Sequence, residues 1–360
     1  MVTAVQLVTR CLFAVAMVGA TVASAAGLEI TGAGSSAAQP LYRSLSELYV
    51  KSGGAGLDYK SIGSSGGIKK IKERAVDFGG SDVAMAKEEL AKEKLICFPS
   101  AISGVVPVVN IPGVRSGDLR LSGEILAAIF LHKIVRWNDP ALLALNPRLH
   151  LPNRPIALVV RQDGSGTTYN FTDYLSQVSD EWRQSYGRNF TIQWPGAVTQ
   201  VKGSEGVVKA LAQTAGAIAY VDYHFVVQDK LSFVKLSNRD GNFVVPGAAG
   251  FAAALANSAW PTDARYEEML TNKAGRDTWP IATGTFILMP QTSRNPERTV
   301  AALKFFVWSF LHGDAITGKA DFVPLPDLVQ GRIYSEMTKI SDVTGQPLRW
   351  SFSGLLASSP

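Results

Sequence analysis

The stretch Arg161-Gln-Asp-Gly-Ser-Gly-Thr-Thr168 stands between two different periodicities. Before it, Ile156 to Val160 is an unbroken apolar run with the length and composition of a buried strand. After it, Phe171, Tyr174, Leu175 and Val178 recur at helical spacing. A Gly/Ser/Thr-rich turn therefore joins a strand to a helix N-terminus. Such a turn presents backbone N–H groups that the helix leaves unpaired, together with the positive end of the helix dipole. Those are the ingredients of an anion site. Arg161 adds a permanent, forked positive charge at the strand's end. Asp163 is placed to hold that guanidinium by a bidentate pair, and Ser165, Thr167 and Thr168 add hydroxyl donors. An ordinary polar turn with a structural Arg–Asp pair would contain the same residues. It loses ground because three more turns repeat the chemistry.

Those turns are Gly32-Ala-Gly-Ser-Ser36, Gly63-Ser-Ser-Gly-Gly67 and Gly79-Gly-Ser-Asp82. Each follows a predicted strand: Leu28 to Ile30, Leu57 to Ile62 and Ala75 to Phe78. Predicted helices come next. The first begins near Pro40 with Leu41, Leu45 and Leu48 on one face; the others run from Ile68 to Arg74 and from Glu88 to Lys94. This alternation predicts an α/β fold with parallel strands. In such sheets ligands sit beyond the carboxyl ends of the strands, where all four turns lie. A tetrahedral oxyanion can be surrounded there by the hydroxyls of Ser36, Ser64, Ser165 and Thr167, backbone N–H groups and Arg161.

Further along, Ile102 to Ile111 is a Val-rich run closed by Pro112-Gly113, long enough to pass from one domain into another. Ser122 is expected to cap a helix reaching Phe130, which Trp137-Asn-Asp-Pro140 breaks. Thr191 to Trp194 reads as a strand, Gly206 to Gln213 as a helix and Ala217 to Val221 as a buried strand. Residues 225–259 are weakly patterned. Trp279 to Ile281 and Thr285 to Met289 mark the return to the first domain, and Val300 to Leu311 is a strongly apolar helix. A chain of 360 residues has room for two domains.

Hydrophobic content of 46% and charged content of 18% are globular values. The net charge is +5, but the basic residues form no long block, so nucleic acid is not an expected partner. A mildly basic protein suits an anionic small ligand or an acidic partner. Residues 1–26 carry a single charge, Arg10, then an apolar run from Cys11 to Val22 and a small-x-small site at Ala23-Ser-Ala25. This is the pattern of a secretory signal peptide cleaved near Ala25 or Ala26, and it is short for a membrane span. Cleavage leaves Cys97 as the sole cysteine, expected as a buried structural thiol.

Three competing motifs carry less weight. Gly32-x-Gly34-x-x-Ala37 loosely matches a dinucleotide fingerprint, but Pro40 follows at once and no acid closes the next strand near Ile62. No G-x-x-x-x-G-K-[S/T] sequence is present, which excludes a P-loop. Gly63-Ser-Ser65-Gly-Gly67 satisfies G-x-S-x-G, making Ser65 a candidate nucleophile for an exported serine hydrolase or phosphatase, with His312 as its base. His132, His150, His224 and His312 are scattered without metal-ligand spacing, and neither a metal nor a cofactor is expected.

Taken together, Thr31-Gly-Ala-Gly34, Ile62-Gly-Ser-Ser-Gly-Gly67, Val76-Asp-Phe-Gly-Gly-Ser-Asp82, Val109-Asn-Ile-Pro-Gly113, Arg161-Gln-Asp-Gly-Ser-Gly-Thr167, Gly216-Ala-Ile-Ala-Tyr-Val-Asp-Tyr223 and Lys304-Phe-Phe form a specific set. With them the chain resembles the periplasmic phosphate-binding proteins of the bacterial phosphate-specific ABC transporter, over nearly all of its mature length. The resemblance implies a two-lobed α/β fold of the type II periplasmic binding class, with the ligand in the cleft between lobes. It places the first lobe at residues 27–108 plus 279–360 and the second at 109–278. It also implies that inorganic phosphate is held at Ser36, Ala37, Ser64, Asp82, Arg161, Ser165, Gly166 and Thr167. Ser36 stands where Thr is frequent, which keeps the hydroxyl. Ala37 stands where an aromatic is frequent, which keeps a backbone N–H but no ring over the ligand. The expected protein is a non-catalytic, monomeric, periplasmic receptor that delivers phosphate to membrane permease subunits. The alternatives are the Ser65 hydrolase and a receptor for another oxyanion such as sulfate, molybdate or arsenate.

Overall fold

The computed structural model describes residues 28–263 and 266–350; the predicted signal peptide lies outside them. Its organising element is the strand Leu95–Asn110, sixteen residues long and almost wholly buried. From Leu95 to Gly104 it pairs antiparallel with Ala282–Pro290. From Val105 to Asn110 it pairs antiparallel with Ala217–Asp222. One strand thus belongs to two sheets, and the fold has two α/β lobes.

In the first lobe the strand order is Gly56–Ser61, Glu29–Gly34, Phe78–Ser81, Ala282–Pro290, Leu95–Asn110. The first three are parallel. In the second lobe Leu95–Asn110 is followed by Ala217–Asp222, Ala157–Arg161 and Val198–Val201, the last three parallel. The sheets are therefore mixed where parallel strands were expected. Ala282–Pro290 returns from the second lobe and runs antiparallel to both its neighbours.

The glycine-rich stretches are less turn-like than their composition suggests. Glu29–Gly34 stays extended through its glycines, Phe78–Ser81 contains Gly79 and Gly80, and Ser64 to Gly67 is already the first turn of the helix Ser64–Lys72. The reason is close approach. A Cβ on Gly67 would stand 2.5 Å from both the Ala33 carbonyl oxygen and the Gly34 Cα, so only glycine lets this helix lie on the strands.

Two further differences concern the second lobe. Thr191 to Trp194 is not a strand; Val198–Val201 pairs with Ala157–Arg161 instead. Trp194 packs against Phe130, Trp182 and Tyr220, so its apolar character reports core packing. Within the weakly patterned region lies the helix Ala248–Ala256, which buries Gly250, Phe251, Ala254 and Leu255. Its alanines favour helix but give little apolar–polar contrast. Cys97 is a free thiol packed against the core of the first lobe, and burial pushes its pKa up to about 12.

Each lobe has an aromatic core. Tyr42, Phe78, Phe98 and Phe306 meet edge to face in the first, with the helix Pro296–His312 supplying Phe306. Phe130, Phe171 and Tyr220 fill the second. Trp279 is fully buried between the lobes, and its Nε1 donates to the Val105 carbonyl at 3.0 Å. Among the described residues no helix is long and apolar enough to cross a membrane.

Candidate anion-binding site

Arg161 ends the strand Ala157–Arg161 and is only 4% exposed. Its Nε donates to Asp163 Oδ1 at 2.8 Å and its Nη2 donates to Asp163 Oδ2, the bidentate pair expected from the spacing. Asp163 Oδ1 also accepts the Gly203 N–H at 3.0 Å, from the start of the helix Gly203–Gln213. Burial pushes the Asp163 carboxyl up, but the Arg161 hydrogen bond and charge outweigh it and hold the group below the ordinary carboxylate range. One edge of the guanidinium is thereby fixed, and Nη1 has no hydrogen bond to the described residues.

The helix Gly166–Val178 begins inside the motif, earlier than its apolar periodicity indicated. Ser165 caps it: its Oγ accepts the Thr168 N–H at 3.1 Å, which leaves the hydroxyl hydrogen free to be donated. Thr167 is buried at the same N-terminus. From the first lobe, Ser64 Oγ accepts two N–H groups at 3.2 Å, one from Asp82 and one from Gly166. Ser64 thus joins the ends of three elements and keeps its own hydrogen.

Asp82 follows the strand Phe78–Ser81 and is 4% exposed. Its Oδ2 accepts from Ser35 Oγ at 2.7 Å and its Oδ1 from Thr285 Oγ1 at 3.3 Å. Burial pushes its pKa up to about 6, against the lowering effects of Ser35, the Arg161 charge and Thr285. Ser36 Oγ lies 3.0 Å from Ser204 Oγ and accepts the Ser204 N–H at 3.2 Å. The Ala37 N–H, which the resemblance assigned to the anion, donates to Ser35 Oγ at 3.1 Å.

The fold therefore brings seven of the eight expected residues into one bonded or adjoining set, with Ala37 turned to a local bond. Ser35, Asn170, Ser204 and Thr285 join them without having been singled out. Ser35 was adjacent to Ser36 in an already recognised turn. Thr285 lies in the apolar run of the returning strand, where its hydroxyl carries no separate signal. Nothing local marks the other two. One open concavity of about 1060 Å³ lies elsewhere, lined by residues that include Tyr49, Lys304 and Arg349. The candidate site is instead a closed contact between lobes.

Ser65 does not have the surroundings of a nucleophile. It lies in a helical first turn, and its N–H donates to the Gly164 carbonyl at 3.0 Å. Its hydroxyl has no hydrogen-bonded base among the described residues, and His312 ends another helix with its ring against Trp308. Among the described residues no group of three or more His, Cys, Asp or Glu side chains is placed to hold a metal ion.

The lobe contact is tight at Gly166. A Cβ there would stand 2.5 Å from Ser64 Oγ and 2.8 Å from Asp82 Cβ. Gly166→Ala is expected to hinder closure and weaken oxyanion binding several-fold, while thermal unfolding of the ligand-free protein changes little. Calorimetric titration beside a melting curve checks this; unaltered affinity would mean that the contact is not made in the bound state.

A family model described as a PBP superfamily domain matches residues 19–311. A Phosphate-binding protein PstS from Xylella fastidiosa is 45% identical over 299 residues, covering 83% of this chain and 82% of its own. Its counterpart from Haemophilus influenzae is 43% identical over 307 residues, covering 85% and 92%. Among solved structures, a high-affinity periplasmic phosphate-binding protein bound with phosphate aligns with a TM-score of 0.69 at 20% identity, covering 92% of this chain and 99% of that one. A phosphate-binding protein from Stenotrophomonas maltophilia gives 0.63 at 19% identity, covering 85% and 93%. At such identities the structural matches establish the two-lobed fold.

Proposed function

The chain belongs to the PstS phosphate-binding proteins of the PBP superfamily, and from that membership we propose that it captures inorganic phosphate between its lobes and hands it to the permease of an ABC importer. We place the lobe boundaries near residue 108, in the strand Leu95–Asn110 that both sheets share, and near residue 279. The observation that carries the reading is the buried Arg161, held on one edge by Asp163 and surrounded by hydroxyls and N–H groups from both lobes. Ser36, Ser64, Ser165 and Thr167 supply hydroxyls, Gly166 (once Ser64 releases its N–H) and Ala37 supply N–H groups, and Asp82 accepts a hydrogen bond from a proton that the ligand keeps. Ala37 reaches the ligand only if Ser35 releases its N–H.

No bond in the ligand is broken. Binding replaces the hydration shell of the anion with fixed donors in a site closed to water, where each contact strengthens. Closure is a hinge motion of the two lobes about the strands that join them. The chain works as a periplasmic monomer once its signal peptide is removed.

Calorimetry with phosphate, sulfate and a phosphate monoester tests the reading. One phosphate per chain without turnover of the ester is expected; hydrolysis by pure protein would favour the Ser65 alternative. Closure also has an optical signature, because Trp279 is packed where the strands cross between lobes. Saturating phosphate is expected to change intrinsic fluorescence, contract the particle in small-angle scattering and raise the melting temperature. If all three stay put, the clamp mechanism is wrong.

A further inference from the structure

Asn170 lies one turn inside the helix Gly166–Val178 and is 2% exposed. Both hydrogens of its Nδ2 are committed. One goes to the Gly166 carbonyl at 2.9 Å, one turn back on its own helix. The other goes to the Asp82 carbonyl at 2.8 Å, in the opposite lobe. The first bond fixes the carboxamide so that its second N–H points across the cleft. The Asp82 carbonyl is held on the first-lobe side by Thr283 Oγ1 at 3.3 Å.

Other bonds cross the cleft: Ser64 Oγ accepts the Gly166 N–H, Ser65 N–H donates to Gly164, and Ser36 meets Ser204. Asn170 differs from Ser64 and Ser36 in having no hydrogen left for the anion. Its bond also ends on the main chain of Asp82, whose side chain faces the site. It therefore sets the distance between the acid and the helix N-terminus without reading the ligand. In an open cleft water takes over both ends of the bond, so its contribution appears only on closing.

We propose that Asn170 is a positioning residue that latches the second lobe to the Asp82 main chain and slows phosphate release. The proposal rests on the phosphate-receptor reading above. In the closed state the latch puts Asp82, Ser165, Thr167 and Arg161 around one anion in a single geometry. Opening must break it before the ligand can leave.

Three measurements test this by stopped-flow and titration on the full mature chain. Asn170→Ala is expected to raise the phosphate dissociation constant by about tenfold, chiefly as faster release, with association changed less than about twofold. The phosphate-to-sulfate preference should stay as in wild type, because the amide does not read the ligand. Asn170→Asp supplies the decisive comparison. It is nearly isosteric, so a residue needed only to fill space would tolerate it better than alanine. A latch predicts the reverse order, since a carboxylate would face two carbonyl oxygens with nothing to donate. Release no faster in Asn170→Ala than in wild type, or a milder defect in Asn170→Asp than in Asn170→Ala, overturns the proposal. If Asn170→Ala does not fold, Asn170→Ser replaces it in the same comparison. A wild-type protein that binds no phosphate would instead overturn the receptor reading.

Discussion

Arg161→Ala is expected to raise the dissociation constant for phosphate at least about tenfold in titration calorimetry. Charge-assisted hydrogen bonds are worth roughly 1.5–3 kcal/mol each. A factor of ten is about 1.4 kcal/mol, so the loss of one such bond suffices. The structure adds a second cost. Arg161 is buried and neutralises Asp163, whose carboxylate also takes the Gly203 N–H. Removing the guanidinium leaves that carboxylate near an incoming anion without its main partner. Arg161→Ala combined with Asp163→Asn should therefore bind better than Arg161→Ala alone, although less well than wild type. Arg161→Lys is expected to restore the charge but not the wild-type affinity. A lysine ammonium is a point charge and cannot hold Asp163 along one edge while presenting another to the ligand. An unchanged constant in Arg161→Ala would remove this residue from the site.

Much of this site is legible because its chemistry is local. Ser165 is three residues from the N–H it caps, and Arg161 two residues from the carboxylate that holds it. A helix N-terminus and a short-range ion pair can be read from spacing alone. Asn170 and Ser204 could not be found that way. Their partners are Asp82, 88 residues distant, and Ser36, 168 residues distant. Each is a polar residue in a helix, with the composition of a solvated face. The crossing strand shows a related limit. Its Val-rich half, Ile102 to Ile111, is plain, but Pro99 and Ser100 interrupt the apolar residues before it, so the segment from Leu95 to Ala101 does not read as its continuation. Only the pairing with Ala282–Pro290 reveals that half as strand. The glycine runs misled in the opposite sense. Composition marks them as turns, whereas their use is to let Ser64–Lys72 lie against neighbouring backbone.

Asp82→Asn is expected to narrow the preference for phosphate over sulfate, mainly by admitting sulfate. A carboxylate in an anion site repels its ligand, so it needs a compensating bond. Phosphate near neutral pH carries at least one proton that it can donate in a hydrogen bond to Asp82; sulfate carries none. With sulfate bound, a buried acceptor would have nothing to accept and two like charges would meet. Each unmade bond costs roughly 1–3 kcal/mol, so the discrimination amounts to several kcal/mol without any difference in ligand shape. The carboxylate has capacity for this role. Ser35 and Thr285 take one lone pair on each oxygen, which leaves others for the ligand. Asparagine offers a donor as well as an acceptor and removes the charge. Acid should act on wild type in the same direction. Burial pushes the Asp82 pKa up to about 6, so below that pH the group becomes a carboxylic acid able to donate to sulfate. The sign follows from the upward shift: the folded protein takes up this proton before an unperturbed carboxyl would, as the pH falls through about 6. Competition of the two ions at about pH 7.5 and about pH 5 should show the wild-type preference shrinking. In Asp82→Asn the preference should be smaller at the higher pH, and the pH dependence that remains should be that of the phosphate's own ionisation, since an amide does not titrate in this range. A ratio of dissociation constants that the substitution leaves unmoved at neutral pH would place the discrimination on other groups.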